Sequence, residues 1–102
     1  MVPTPLHPMD FYLRIDQHVG RCLVFFVAPR CGGCKRILRL LAQEADLTLP
    51  CFQINAEEAA FLLEEYEVQH LPTVLCFEAG ECLGSVEALG SIPQMLSAAE
   101  AL

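Results

Sequence analysis

The sequence predicts an α/β domain in which helices pack on a central mixed β-sheet. Three observations indicate this class. An apolar segment, "CLVFFVA" at 22–28, lacks polar alternation; helical periodicity follows it directly; and two short β-type segments flank the turn "EAG" at 78–80. At 102 residues the chain has the size of one domain, so we expect residues 1–102 to form a single unit with its own hydrophobic core.

Composition narrows the possible partners and locations. Apolar residues make up 54% of the chain and charged residues 19%, which argues against disorder. The net charge is −7 and no basic patch suits a phosphate backbone, so we expect no nucleic-acid partner. The longest apolar run is far shorter than the roughly 18 residues of a membrane span, and the first residues do not resemble a signal peptide. We therefore expect a cytoplasmic protein with no membrane partner.

The N-terminal region predicts a weak strand and a helix. Residues 1–9 are Pro-rich and form at most a short edge strand, or stay disordered, because proline cannot donate to a β-ladder. The segment 10–20 predicts a helix with Asp10 as N-cap and Gly20 as its end. Its expected apolar face consists of Phe11, Tyr12, Ile15 and Val19.

The segment 22–28 predicts a central parallel strand that is buried on both faces. Cys31 and Cys34 follow immediately, and the chain then continues with the apolar spacing of a helix. That apolar stripe comprises Cys34, Ile37, Leu38, Leu41 and Ala45. The cysteine pair is thus predicted to lie on a strand-to-helix turn.

The second half predicts a strand, a helix, a hairpin and a last helix. Residues 51–54 form the strand, and Asn55 with Glu58 resembles a capping box that opens a helix. The expected apolar face of that helix is Ala59, Leu62, Leu63 and Tyr66. Residues 73–77 and 82–86 predict the β-hairpin. The last helix is predicted to begin after an N-cap at Ser91, with Pro93 in its first turn.

The position of Cys31 favours its thiolate form. Unpaired N–H groups at a helix N-terminus carry partial positive charge, and Arg30 and Lys35 add full charges nearby. The spacing of three residues places Cys31 and Cys34 on one helix face, and Gly32 and Gly33 allow the first turn to tighten until a disulfide closes. Cys31 leads the helix and is the expected nucleophile; Cys34 faces inward and is the expected resolving thiol.

A zinc half-site is the alternative interpretation of the cysteine pair. A structural zinc almost always needs four ligands, and the sequence offers no second closely spaced pair. His7, His18 and His70 are isolated, and His70 is most simply a loop histidine. We therefore predict no metal and no cofactor.

Four further cysteines are scattered singly. Cys22 and Cys51 are expected to be core thiols. Cys76 and Cys82 flank the hairpin turn and would face each other across a three-residue loop, whereas a two-residue loop would offset them. The favoured interpretation is that both are small buried apolar side chains that stay reduced.

Two separated motifs resemble the thioredoxin family. "VFFVAPRCGGCKRILRLL" matches its apolar strand, CxxCK and long helix, and "YEVQHLPTVLCFEAGE" matches its Pro-Thr stretch. The resemblance covers about residues 10–102. It implies the three-layer α/β/α thioredoxin fold and dithiol–disulfide exchange with protein substrates, in which Cys31 attacks and Cys34 resolves. It also implies recycling by a flavin-dependent thioredoxin reductase.

The resemblance further implies a substrate-binding segment of Leu71, Pro72 and Thr73. In that family the proline is cis and lies against the cysteine pair, and the backbone of the preceding residue pairs with a bound substrate strand. A cis X–Pro bond is otherwise uncommon in folded proteins, so the expectation for Pro72 depends on the resemblance.

The chain departs from the family pattern at the site itself. Arg30 replaces the usual tryptophan, Gly33 the proline between the cysteines, and Arg39 a helix-kinking proline. Phe25 replaces the buried aspartate that helps to deprotonate the resolving thiol, and its companion lysine aligns near Cys51. Proton removal from the resolving thiol then needs water or another group. These losses favour a specialised oxidoreductase, or alternatively a binding module or assembly chaperone with little redox turnover.

Overall fold

The computed structural model describes residues 2–44, 49–87 and 90–102. Its regular elements are β1 (Thr4–Pro5), α1 (Phe11–Gln17), β2 (Arg21–Val27), α2 (Gly32–Ala42), β3 (Cys51–Asn55), α3 (Ala60–Glu65), β4 (Thr73–Glu78), β5 (Glu81–Val86) and α4 (Ile92–Glu100). Short 3₁₀ helices at Pro8–Asp10 and Ala56–Glu58 precede α1 and α3. Within the described ranges, every helix is too short or too polar to cross a bilayer.

The five strands form one mixed sheet in the order β1-β3-β2-β4-β5. β2 lies at the centre, parallel to β3 and antiparallel to β4. Six of its residues, 22–27, are buried, as expected for a valine- and phenylalanine-rich strand that is covered on both faces. The predicted central strand is confirmed, and the Pro-rich start supplies the two-residue edge strand β1 beside β3.

Side chains of β2 alternate between two apolar clusters, because successive residues of a strand point to opposite faces. Leu23, Phe25 and Val27 pack on one face with buried residues of α2 and α4. Cys22, Val24 and Phe26 pack on the other face with residues of α1 and α3. The molecule therefore has three layers, α/β/α.

The first helix is shorter than predicted. It ends at Gln17, because His18 adopts an extended backbone and Gly20 has a positive φ of 85°. Val19 consequently lies outside the helix and is 93% exposed, so its assignment to the apolar face was wrong. Asp10 stands at the N-cap position, but its side chain makes no capping hydrogen bond.

The capping box predicted at Asn55 and Glu58 does not form, whereas the N-cap predicted at Ser91 is present as part of a full capping box. Asn55 accepts a hydrogen bond from the Glu57 N–H and caps the short 3₁₀ helix, while the Glu58 carboxylate accepts from the Asn55 side chain and not from its backbone. At α4, the Ser91 hydroxyl accepts from the Gln94 N–H and the Gln94 side chain accepts from the Ser91 N–H. The C-terminal prediction is confirmed.

The length of the hairpin turn determines whether Cys76 and Cys82 lie opposite each other. Glu78 pairs with Glu81, so the loop has only two residues, both with positive φ. Cys82 pairs with Phe77 and shares its sheet face, whereas Cys76 points to the opposite face and is buried there. The two thiols therefore cannot bridge, and the prediction that Cys82 is buried is wrong because it is exposed.

Candidate active site

The cysteine pair lies where β2 leads into α2, beyond the carboxyl end of the central strand. Cys31 is the N-cap of α2: its backbone is extended and its Sγ accepts a hydrogen bond from the Cys34 N–H at 3.1 Å. Serine or aspartate oxygen usually fills this role. A sulfur anion accepts such a bond more strongly than a neutral thiol, and the helix N-terminus adds partial positive charge. The local backbone therefore supplies a hydrogen-bond donor to Cys31 Sγ at the start of α2.

The two sulfurs differ sharply in exposure. Cys31 is half-buried, whereas Cys34 is 1% exposed and packs in the cluster that contains Phe25 and Ile37. Burial, followed by the contact with Cys31, raises the pKa of Cys34 to about 11. Cys34 is thus a protonated thiol at neutral pH and must lose a proton before it can attack a disulfide.

The glycines between the cysteines have unequal surroundings. A Cβ at Gly33 would lie 3.1 Å from Cδ of Pro72, while a Cβ at Gly32 would meet nothing within 4 Å. The structure therefore brings the cysteine turn into close contact with the Pro72 loop at Gly33. At Gly32 the turn is open to an approaching partner.

The predicted substrate-binding segment forms the neighbouring loop. The Leu71–Pro72 peptide is cis, and no other described residue hydrogen-bonds to the backbone of Leu71. Thr73 is buried, and its hydroxyl donates to the carbonyl of His70, so it fixes the loop. His70 is exposed and lines, together with this loop, a cavity of about 330 Å³ that neither Cys31 nor Cys34 reaches.

The two basic residues flank the pair without being neutralised. Arg30 and Lys35 are both exposed, and neither forms an ion pair with a carboxylate in the described part of the chain. Arg30 directly precedes Cys31, while Lys35 lines a cavity together with Cys34. The positive charge of the site thus lies on both sides of the dithiol.

The structure offers no support for a metal centre at the cysteine pair. Across residues 2–44, 49–87 and 90–102, no three His, Cys, Asp or Glu side chains are grouped so that they could hold an ion. A zinc ion at Cys31 and Cys34 would lack its remaining protein ligands.

Sequence reasoning missed one part of the site. Glu58, predicted only as a helix cap, lines the same cavity as Cys34, and so does His7. One signal in the sequence was available: Glu58 follows β3, and parallel neighbouring strands bring their carboxyl ends to the same sheet edge. The cavity itself depends on how α2 and the N-terminal segment close over that edge.

Comparison with known proteins agrees with this geometry. The family profile described as Thioredoxin matches residues 2–99. The chain belongs to the thioredoxin family. A thioredoxin from Pyropia yezoensis is 31% identical over 75 residues, which cover 71% of this chain and 68% of that protein. The thioredoxin prediction made from the two sequence motifs is thereby confirmed.

Other thioredoxin relatives are longer proteins. The chloroplastic M-type thioredoxin of Pisum sativum is 36% identical over 75 residues, covering 71% of this chain and 42% of that protein. That of Spinacia oleracea is 35% identical over 88 residues, covering 83% and 46%. The chain thus spans less than half the length of these two relatives.

A solved structure confirms the thioredoxin fold. A mutant thioredoxin from Halobacterium salinarum NRC-1 superposes with a TM-score of 0.79, covering 99% of this chain and 93% of that one. Its sequence identity is 23%, so this likeness concerns the fold alone.

Proposed function

We propose that this chain is a thiol–disulfide oxidoreductase that exchanges its Cys31–Cys34 dithiol with disulfides of protein substrates. The observation that carries the proposal is the hydrogen bond from the Cys34 N–H to Cys31 Sγ at the start of α2, which holds the half-buried sulfur of Cys31 at the helix N-terminus beside a second cysteine. Family membership supports the same chemistry.

The proposed reaction has two balanced steps. The Cys31 thiolate attacks one sulfur of the substrate disulfide; that S–S bond breaks, and the substrate's other sulfur leaves as a thiolate. Cys34 then loses its proton and attacks Cys31 Sγ, which breaks the mixed disulfide and releases the second substrate thiolate. The substrate gains two electrons, and the Cys31–Cys34 disulfide that forms has lost two.

The expected partners follow from this chemistry. In a reducing cytoplasm the net direction is substrate reduction, and we propose a flavin-dependent thioredoxin reductase as the electron source. The protein needs no cofactor or metal of its own. The unpaired backbone of Leu71 supports docking of an extended substrate strand beside the dithiol.

The decisive test is trapping of the mixed disulfide. With dithiothreitol as donor, the wild-type protein should reduce insulin disulfides. Cys34→Ser should instead accumulate a covalent Cys31–substrate adduct that is visible by mass spectrometry under non-reducing conditions. A Cys34→Ser protein that forms no adduct, together with a wild type that leaves insulin unreduced, would rule out the proposal.

One observation favours a second candidate, a binding module or assembly chaperone without turnover. Phe25 is fully buried in the cluster that contains Cys34, where the family usually has a carboxylate. If the cleft only holds partners, Cys31→Ser should leave biological activity intact. If exchange is the function, the same variant should be inactive.

A further inference from the structure

A second cavity reaches the buried half of the dithiol. Its volume is about 500 Å³, and Cys34 lines it while Cys31 and Pro72 do not. The ends of β2 and β3, the segment 5–7, α2 and the 3₁₀ helix that follows β3 form its walls. The cavity thus opens a route to solvent beside the buried Cys34, on a side that neither Cys31 nor Pro72 lines.

This route matters because Cys34 holds its proton at neutral pH. The resolving step needs an acceptor for that proton, and the neighbouring position in the core is occupied by Phe25, which has none. An acceptor must therefore reach Cys34 from the cavity side.

Three charged or titratable side chains face the cavity besides Cys34: His7, Lys35 and Glu58. A lysine ammonium group has three donors and no acceptor site, which excludes Lys35 as the acceptor. Nδ1 of His7 already accepts a hydrogen bond from the Met9 N–H at 3.1 Å. That bond occupies the Nδ1 lone pair, so His7 would have to give up its contact with Met9 to accept a proton there.

Glu58 has the required capacity. Its Oε1 accepts a hydrogen bond from Nδ2 of Asn55 at 3.2 Å, which holds the carboxylate at the cavity wall. A carboxylate has about four lone-pair sites, so this bond leaves acceptor positions available. The amide side chains of Gln53 and Asn55 also line the cavity and supply polar partners for water.

We propose that Glu58 is the proton acceptor for Cys34 in the resolving step, acting through water in this cavity. The inference rests on the proposed disulfide exchange. The Cys34 proton passes through water to the Glu58 carboxylate, and the resulting thiolate attacks Cys31 Sγ. The substrate thiolate leaves with the electron pair of the broken S–S bond, and Glu58 returns the proton to solvent. The ammonium group of Lys35 stabilises the transient thiolate.

The test compares Glu58→Gln with Glu57→Gln. Glu57 is its exposed neighbour on the same 3₁₀ helix, does not line the cavity, and is a matched control. Glutamine at 58 keeps an oxygen for the Asn55 bond, so the fold should be preserved. Rapid mixing of reduced protein with a disulfide-bonded fluorescent peptide separates attack by Cys31 from release by Cys34.

Glu58→Gln should slow release about tenfold at pH 7, at the low end of general-base effects because water intervenes. Attack should keep its wild-type rate, and Glu57→Gln should match the wild type in both steps. The slowing should shrink as the pH approaches 11, where solution base deprotonates Cys34 directly. Glu58→Asp should restore part of the rate.

Two outcomes would overturn the inference while leaving disulfide exchange intact. One is release at the wild-type rate in Glu58→Gln; the other is an equal slowing at every pH, which would indicate a structural role. If the wild-type protein performs no attack at all, the proposed function itself fails, and the inference fails with it.

Discussion

The turn before α2 and the interior of β2 each place a cysteine in a very different setting. Cys31 caps a helix, is half-buried, and its sulfur accepts a backbone hydrogen bond. Cys22 lies nine positions earlier, is 1% exposed, and burial raises its pKa to about 11. A cysteine side chain is thus a candidate nucleophile at position 31 and part of the apolar core at position 22. Backbone setting decides reactivity more than residue type.

Cys34 combines features of both regions. It is as buried as Cys22 and has a similarly raised pKa, yet its own N–H contacts the sulfur of Cys31. The proposed resolving thiol is thus a core thiol whose helix turn brings it next to the half-buried Cys31. Its reactivity therefore depends on what removes its proton.

The largest expected effect is on the rate of disulfide reduction, and it tests whether Cys31 is the reactive cysteine. Cys31→Ser should reduce insulin-disulfide turnover to the background rate of the dithiol donor, because no sulfur nucleophile remains at the helix start. Cys82→Ser removes an exposed thiol on an edge strand and should keep the wild-type rate. Equal losses in the two variants would show that exposure alone governs reactivity and would refute the comparison.

A smaller effect should appear in the free energy of unfolding. Here the substitution at Cys22 should matter more than the substitution at Cys31. Cys22→Ser places a hydroxyl in an apolar cluster and should lower the free energy of unfolding by about 1–3 kcal/mol. Cys31→Ser should change it little, since serine is a good N-cap. Urea denaturation followed by circular dichroism measures both. A Cys22→Ser protein as stable as the wild type would contradict the assignment of this thiol to the core.

Alkaline pH should weaken the fold through the core thiols. Burial raises the pKa of Cys22 and Cys51 to about 11, above the ordinary value of about 9. Between these values the unfolded chain releases protons that the native state retains, so stability is fully present below about pH 9 and falls as the pH rises toward 11. Urea midpoints at pH 8 and pH 10.5 should differ less in a Cys22→Ala/Cys51→Ala variant. An unchanged difference would exclude these thiols as the cause.

The smallest expected effect tests the contact between the dithiol turn and the Pro72 loop. Gly33→Ala brings a methyl group to 3.1 Å from Pro72, so the loop must shift and exchange should slow several-fold. Gly32→Ala meets open space and should keep the rate while stabilising the fold by about 0.4–1 kcal/mol. Insulin-reduction kinetics and urea midpoints on both variants provide the check. Identical kinetics in the two would remove any role for the contact.

Much of the fold was predictable because the local sequence patterns agree with the way in which the corresponding elements pack. The segment 22–28 contains no polar residue, so only a central strand position suits it, and the Cys-Gly-Gly-Cys turn then has to precede a helix. The capping box at Ser91 was predictable for the same reason: its bonds are made within four residues.

The remaining features depend on contacts or conformations that local patterns do not determine. The apolar spacing of Val19 favours a helix, but the chain leaves the helix at His18 before reaching it. The hairpin loop admitted two lengths, and only the strand register makes Cys76 and Cys82 face opposite sides. The cavity at Cys34 joins His7, Lys35 and Glu58, which are distant in sequence.

The bond from the Cys34 N–H to Cys31 Sγ links the proposed chemistry to the integrity of α2. Once Cys31 Sγ is joined to a substrate sulfur it carries no negative charge, and its attraction for that N–H weakens. A side-chain N-cap is worth about 1 kcal/mol. Each catalytic cycle would thus loosen the first turn of the helix that carries Cys34. In the proposed covalent intermediate, the first turn of α2 would be freer to move at the stage when Cys34 has to approach.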